Sequence, residues 1–385
     1  MALGNQVEKP RFFINLLNYQ YEIGNIAVAA RYWGDPLEKN PHLLNLNPMR
    51  GYDMSDSGAT GDNAKSFFKV GFKYSITIPS GSTMFIALLG HDIGAGNTVT
   101  ADLNIWQGSG WWQGAEGDGD LGTATQECEP LVNGGDGGHQ WHPSYSGWSL
   151  LKFNPVTTTE ISSFVISFRN TTPDSTSIIS KFGGLAIGFM YEPEFHADLA
   201  VTQRRIMDGV KQKQTKGGNT YSIINHLKPP NWWNCNPFEL YDHYPFQYPT
   251  SFGTRIGRRS WDVRFSQLQD RFYTDGVPNG VFPANEMIEG YDADIVNGGY
   301  TDGEDVTVPP NSGVGDFNYN LATDNSLYST LYHHSLGGTL PFLFSPSQDN
   351  SPGNFSICRF DKPGFQVQQK SYKKFNVKMR INETW

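Results

Sequence analysis

The 385-residue chain is poor in cysteine and lacks long apolar runs, and each shortage excludes a class of protein. Its three cysteines, Cys128, Cys235 and Cys358, are far apart and odd in number, which argues against a disulfide framework or a zinc site. Disulfides accumulate in oxidising compartments, so this usage favours folding in a reducing cytoplasm. No apolar run approaches the roughly 18 residues of a membrane helix, and the N-terminus lacks a signal-peptide core. The sequence therefore predicts neither membrane insertion nor secretion.

Basic residues are also scarce. The chain has 29 Lys and Arg against 38 Asp and Glu, a net charge of −9 and a pI of about 5.5. A general nucleic-acid binder usually has the opposite balance, so no nucleic-acid partner is predicted. One basic stretch stands out, and it consists of Arg204, Arg205, Lys211, Lys213 and Lys216. We interpret it as a solvated strand or loop face, with a phosphate-binding patch as the alternative.

Catalytic motifs are missing as well. The chain contains no G-x-S-x-G, no H-E-x-x-H and no P-loop lysine pattern. His139 and His142 lie beside Gly and Pro residues, which favours a surface loop over a helical metal site. The acidic stretches at 116–120 and 292–299 lack the full calcium-loop spacing. We therefore predict a non-enzymatic protein without cofactor, metal or catalytic residues. Glycan cleavage is the weakest alternative, because the separation of a carboxylate pair is not readable from sequence.

Aromatic residues are abundant, at 14%, and 42 Gly with 23 Pro suit many short strands joined by turns. A mainly β fold is therefore expected. In the first half, residues 1–195, strand-like runs end at turn residues, which is typical of a jelly-roll β-sandwich. These runs lie at 74–78, 84–89, 98–106, 164–168 and 185–190. The Glu-Pro-Glu at 192–194 marks the predicted domain boundary.

The second half, residues 196–385, predicts an α+β layer. Trp261, Val263 and Phe265 alternate with charged residues, which indicates a half-buried strand. An apolar stripe predicts one helix at 325–335, capped by Asp324 or Asn325 and ended by Gly337 and Gly338. Strands are expected at 340–344, at 355–360 and from 365 through 379 to the end, where Phe375, Val377, Met379 and Ile381 alternate with polar residues.

Two long segments of the second half fit no regular element. Residues 226–256 are rich in aromatics and proline, and we interpret them as an ordered arm. Residues 273–316 are rich in Gly, Asp and Asn and are expected to form a long loop excursion. The arm supplies the candidate interface residues, since aromatics are enriched at interfaces. They are Trp232, Trp233, Phe238, Tyr241, Tyr244, Phe246 and Tyr248.

A second aromatic cluster lies in the first half. It consists of Trp106, Trp111, Trp112 and Trp141, with Trp148 nearby. Exposed tryptophans can stack on sugar rings, which would make this half a carbohydrate-binding module. Core or interface packing is the favoured interpretation, because tryptophan is enriched there. Contact with host-surface glycans remains the alternative function.

Four segments, taken in order, resemble minor tail and distal-tail-like proteins of tailed bacteriophages. They lie at 258–262 (RRSWD), 336–344 (LGGTLPFLF), 355–360 (FSICRF) and 377–385 (VKMRINETW). The first half resembles, more weakly, the jelly-roll domains of such proteins, through 85–92 (FIALLGHD). The resemblance implies a tail-tube-like β-sandwich or split barrel with one flanking α-helix in the second half.

The same resemblance implies a function. Members of this family form rings, often hexamers, coaxial with the tail. The expected role is therefore a structural virion protein of the tail, baseplate or tail tip. Its expected partners are copies of itself and other tail proteins, and it would fold and assemble in the host cytoplasm. Strand edges and aromatic anchors would bury surface between subunits.

Overall fold

The computed structural model describes part of the chain, and every structural statement below concerns that part. The described residues are 7–31, 44, 46, 52–53, 65–78, 82–91, 99–107, 125–126, 128–133, 147–154, 160–170, 181–193, 196–206, 210–224, 258–269, 281, 326–350, 354–362, 364, 366–371 and 374–384.

The described residues form twenty strands and two short helices, which confirms the mainly β prediction. The elements of the first half are β1 (Arg11–Asn15), α1 (Leu16–Glu22), β2 (Ile26–Arg31), β3 (Tyr52–Asp53), β4 (Lys65–Thr77), β5 (Thr83–His91), β6 (Val99–Gln107), β7 (Thr125–Gln126), β8 (Glu129–Val132), β9 (Gly147–Phe153), β10 (Glu160–Asn170), β11 (Lys181–Phe182) and β12 (Gly184–Tyr191). The elements of the second half are β13 (Thr202–Ile206), β14 (Val210–Gln214), β15 (Thr220–Ile224), β16 (Arg258–Gln269), the π-helix α2 (Tyr328–His333), β17 (Phe342–Ser345), β18 (Ser356–Phe360), β19 (Val367–Ser371) and β20 (Lys374–Glu383).

One antiparallel sheet of eleven strands runs through both halves of the sequence. Its order is β13-β16-β20-β18-β17-β1-β12-β5-β9-β8, and β19 also pairs with β20. The short strand β1 holds the halves together, because Phe12 is opposite Tyr191 of β12 on one side and Phe344 of β17 on the other. The predicted boundary near residue 195 stays a prediction, but the sheet is continuous across it.

A second sheet of five strands, in the order β2-β4-β10-β6-β7, makes a sandwich with the first-half part of the large sheet. A shared core fills the space between them. Val70 of β4 and Phe164 of β10 pack there with Ile86 of β5 and Ile187 of β12. This arrangement agrees with the predicted β-sandwich, while the jelly-roll connectivity stays a prediction.

The second-half part of the large sheet is covered on one face by α2. Leu327, Leu331 and Tyr332 pack against the inward residues of the strands beneath them. The alternating strands are confirmed, because Trp261, Val263 and Phe265 of β16 are buried. The inward residues of β20, which are Phe375, Val377, Met379 and Ile381, are buried in the same core.

Two local predictions about this half need correction, and a third stays untested. The strand expected from residue 365 onward is a hairpin of β19 and β20, paired from Val367 opposite Val377 to Ser371 opposite Lys374. The predicted caps, Asp324 and Asn325, lie outside the described residues, so the cap stays a prediction. Next to them, the Ser326 hydroxyl accepts a hydrogen bond from the Ser329 amide at 3.2 Å. The helix is π-helical and spans Tyr328–His333, which is shorter than the predicted 325–335. A turn follows it, in which the Gly337 amide donates to the Tyr332 carbonyl at 2.7 Å and Gly337 has a φ of 68°.

The helix α1 was not predicted at all. It follows β1 directly, and the Asn15 side chain caps it by accepting a hydrogen bond from the Asn18 amide at 3.2 Å. Five of its seven residues, Leu16 to Gln20, are buried, so its sequence lacks the one-sided apolar stripe by which a helix is recognised.

Candidate assembly surface

Most of the sequence-predicted site residues lie outside the described part of the chain. This holds for the whole 226–256 arm with its candidate interface aromatics, and for Trp111, Trp112 and Trp141. Trp106 lies in β6, where its backbone is opposite Ser163 of β10. The interface and glycan-contact hypotheses for these residues therefore stay predictions. Trp148, by contrast, lies within the described residues. It is a fully buried core residue, and its ring centroid lies 5.4 Å from that of Phe355.

The basic stretch that the sequence singled out leads into a separate β-hairpin. Strands β14 and β15 form a two-stranded sheet paired from Val210 opposite Ile224 to Gln214 opposite Thr220. In the turn, the Thr215 hydroxyl accepts a hydrogen bond from the Asn219 amide at 3.1 Å, and Gly218 adopts a φ of 86°. Every residue from 211 to 222 is exposed. The solvated-face interpretation therefore agrees with the placement of the hairpin.

The strand just before this hairpin, β13, lies at one end of the large sheet. It pairs with β16 from Thr202 opposite Asp262 to Ile206 opposite Arg258. Its side chains are mostly exposed. Charged residues on such an edge discourage unspecific strand addition, and Arg204 contributes by pairing with Asp262 at 3.3 Å. The edge strand β13 and the hairpin of β14 and β15 are both exposed, and we call these elements together the border.

Next to this border lies a basic groove on the outer face of β16, β20 and β19. Outward residues of these strands, together with Gln366 just before β19 and the inward Val377, line a cavity of about 240 Å³. The lining consists of Arg264, Gln366, Gln368, Lys370, Asn376, Val377 and Lys378. The set brings three cations and three amide side chains together and includes no carboxylate. Nearby, the Asp198 carboxylate accepts a hydrogen bond from the Ser266 hydroxyl at 2.6 Å.

The neighbouring end of the same outer face is balanced in charge. Asp262 accepts hydrogen bonds from the Arg380 guanidinium, and Arg380 also lies 3.6 Å from Asp361. The hydrogen bond from Arg380 is the main reason why the pKa of Asp262 is lowered. Lys378 of the groove also acts on Asp262 and helps to lower its pKa. The groove and this balanced end of the outer face are therefore neighbours that share Lys378.

A buried ion pair connects β16 and β20 five residues along these strands from the groove. The Arg259 guanidinium of β16 donates to the Glu383 carboxylate of β20 at 2.5 Å, and the Ser356 hydroxyl of β18 donates to the same carboxylate at 2.7 Å. Burial raises the pKa of Glu383 to about 7, although Arg259 acts to lower it. These contacts connect three adjacent strands and hold the register on which the outer face depends.

Two histidine sites of the described chain are also packed inside the protein. The His91 Nε2 atom lies 3.0 Å from the Ser149 hydroxyl oxygen, and this hydroxyl donates a hydrogen bond to the Asn133 carbonyl. The side chains of His91 and Ser149 are both fully buried. His333 contacts the Tyr19 hydroxyl at 2.9 Å and so joins α2 to α1. Within the described ranges, no three His, Cys, Asp or Glu residues are grouped to hold a metal ion. No helix there is long and apolar enough to cross a membrane.

Comparison of the chain with protein-family models, with curated proteins and with solved structures finds no match.

Proposed function

We propose that this chain is a structural component of a bacteriophage tail, and that it works by assembling with copies of itself and with neighbouring tail proteins. The segments that resemble tail proteins support the proposal by their placement. They contribute β16, β20, β18 and β17, which are consecutive neighbours in the large sheet. The resemblance therefore falls on one structural unit of the fold.

The exposed hairpin is the observation that carries the assembly part of the proposal. A two-stranded sheet without a packed apolar face is marginally stable in water. Ordering its fifteen residues, 210 to 224, costs roughly 1–2 kcal/mol of backbone entropy per residue. Burial against another subunit would offset this cost. Tyr221, which is 60% exposed on β15, is the large apolar side chain that such a contact would cover.

Self-association of the purified full-length chain tests the proposal. We expect sedimentation velocity to detect a closed oligomer at micromolar concentration. Substitution Tyr221→Ser should weaken association about tenfold, because truncating an interface tyrosine commonly costs a kilocalorie per mole or more. The matched control is Tyr74→Ser on β4, since Tyr74 is 77% exposed and lies away from the border. A chain that stays monomeric at all concentrations would contradict the proposal.

A further inference from the structure

The charges of this chain are distributed very unevenly. The segments 196–224, 258–269 and 354–384, which build the border strands and the basic groove, contain 15 of the 29 basic residues but only 5 of the 38 acidic ones. The rest of the chain therefore carries the entire negative excess. The excursion at 273–316 is the extreme case, with nine acidic residues and no Lys or Arg. One chain thus contains both a cationic surface and a strongly anionic segment.

We propose that the basic groove, lined by Arg264, Lys370 and Lys378, binds the acidic segment 273–316 of a second copy of this chain. The inference deepens the proposed function and rests on it, because it names a second contact between copies besides the one at the hairpin. Opposite charges on two different surfaces of one chain favour head-to-tail contacts, and such heterologous contacts close into rings when the rotation allows.

Chemistry supports this occupant. Arginine and lysine bind carboxylates through charge-assisted hydrogen bonds, and Gln366, Gln368 and Asn376 add amide groups that can hydrogen-bond a peptide backbone. Among the described residues, the groove lining includes three cations and no carboxylate, so an incoming acidic segment meets mainly positive charge there. Electrostatic complementarity of this kind speeds encounter and fixes the register of an interface.

The placement of the segment favours a neighbouring copy over the same chain. Val281 is the described residue of the excursion, and it is buried in the core beside α2, where its carbonyl accepts a hydrogen bond from the Tyr328 amide at 3.1 Å. The chain is described again from Ser326, at the start of α2. Both points lie on the inner face of the sheet, whereas Lys370 and Lys378 belong to its outer face.

Charge reversal on each side of the contact tests the inference. Lys370→Glu/Lys378→Glu reverses the charge of the groove lining. A fivefold variant reverses the segment, because it changes the net charge of 273–316 from −9 to +1; its substitutions are Asp292→Lys, Asp294→Lys, Asp302→Lys, Glu304→Lys and Asp305→Lys. Each of the two variants alone should associate at least about tenfold more weakly than wild type, because like charges then face each other. Mixed in equal amounts, the two variants should recover assembly, since each groove again meets a segment of opposite charge. Sedimentation velocity reads out all three samples.

The controls separate this inference from the proposed function. Lys73→Glu is an exposed reversal on β4, away from the groove, and should leave association unchanged. If the Lys370→Glu/Lys378→Glu variant associates as strongly as wild type, the groove contact is contradicted but the proposal of self-assembly is not. Weak variants that fail to recover on mixing also overturn it, because they indicate a contact within one chain. A wild-type chain that never associates contradicts both proposals.

Discussion

His334 provides a sharp test of how the two helices are packed on the large sheet. Its imidazole is buried, and its Nδ1 atom lies 2.6 Å from the Ser329 carbonyl oxygen. The rings of Tyr19, Phe189 and His333 surround it at centroid distances of 5.0, 5.2 and 5.3 Å. Burial, aided by the charge of His333, lowers the pKa of His334 to about 3. The folded protein therefore holds this ring neutral.

The sign of the pH dependence follows from that lowered pKa. The unfolded ring binds a proton below its ordinary pKa of 6.5, whereas the folded ring does so only below about 3. The neutral histidine thus contributes stability that is fully present above pH 6.5 and is lost as the pH falls. Below pH 6.5 the unfolded state binds one proton more than the folded state, which lowers the free energy of unfolding by about 1.4 kcal/mol per pH unit. About 2 kcal/mol of stability is therefore lost by pH 5.

Urea denaturation of wild type and of His334→Gln between about pH 8 and pH 5 measures this loss. The glutamine can still donate a hydrogen bond to the Ser329 carbonyl, but it does not titrate. The other ionisable groups are the same in both proteins, so their contributions cancel in the difference between the two unfolding free energies. It should be constant above pH 7 and fall by about 2 kcal/mol at pH 5. Two profiles that stay parallel over the whole range would refute the packing of His334.

Two further substitutions test the frame beneath the assembly surface. Arg259→Met leaves the Glu383 carboxylate buried without its cation and should lower the free energy of unfolding by about 3–5 kcal/mol. The control is Arg264→Met at an exposed position, which should change that free energy by no more than about 0.5 kcal/mol. Equal effects of the two substitutions in urea denaturation would contradict a buried pair. Gly188→Ala would place a Cβ atom 1.9 Å from the Ile14 carbonyl oxygen and should cost about 3 kcal/mol or more. The control is Gly217→Ala, because a Cβ atom added at Gly217 has no other heavy atom within 4 Å. If the two variants have the same melting temperature, the close approach of β1 and β12 is refuted.

Strands with one wet face were predictable from sequence, because alternation is a local signal. Val377 and Met379 are buried while Lys378 between them is exposed, as the period of two requires. By contrast, all five residues of β1 are buried, so their sequence contains no alternation. The pairing of β1 with strands around residues 190 and 344 depends on contacts that lie far apart along the chain.

The candidate surface was predictable only in part. The basic stretch from Arg204 to Lys216 is visible in the sequence, and its exposure could be expected from composition alone. The groove was missed, because Arg264 and Lys378 are more than a hundred residues apart and become neighbours only through the register of β16 with β20. The break between β19 and β20 was missed because the sequence from Ser371 to Lys374 contains no Gly, Pro, Asn or Asp, the residues that signal a turn.

Localisation in the virus particle tests the central claim most directly, namely that this chain is a self-assembling part of a phage tail. Antibodies against the full-length chain, coupled to gold, can be applied to purified particles of the phage that encodes it and viewed by electron microscopy. We predict that the label binds the tail, and that averaged images place the chain in a ring coaxial with it. Particles that contain none of this chain would contradict the account.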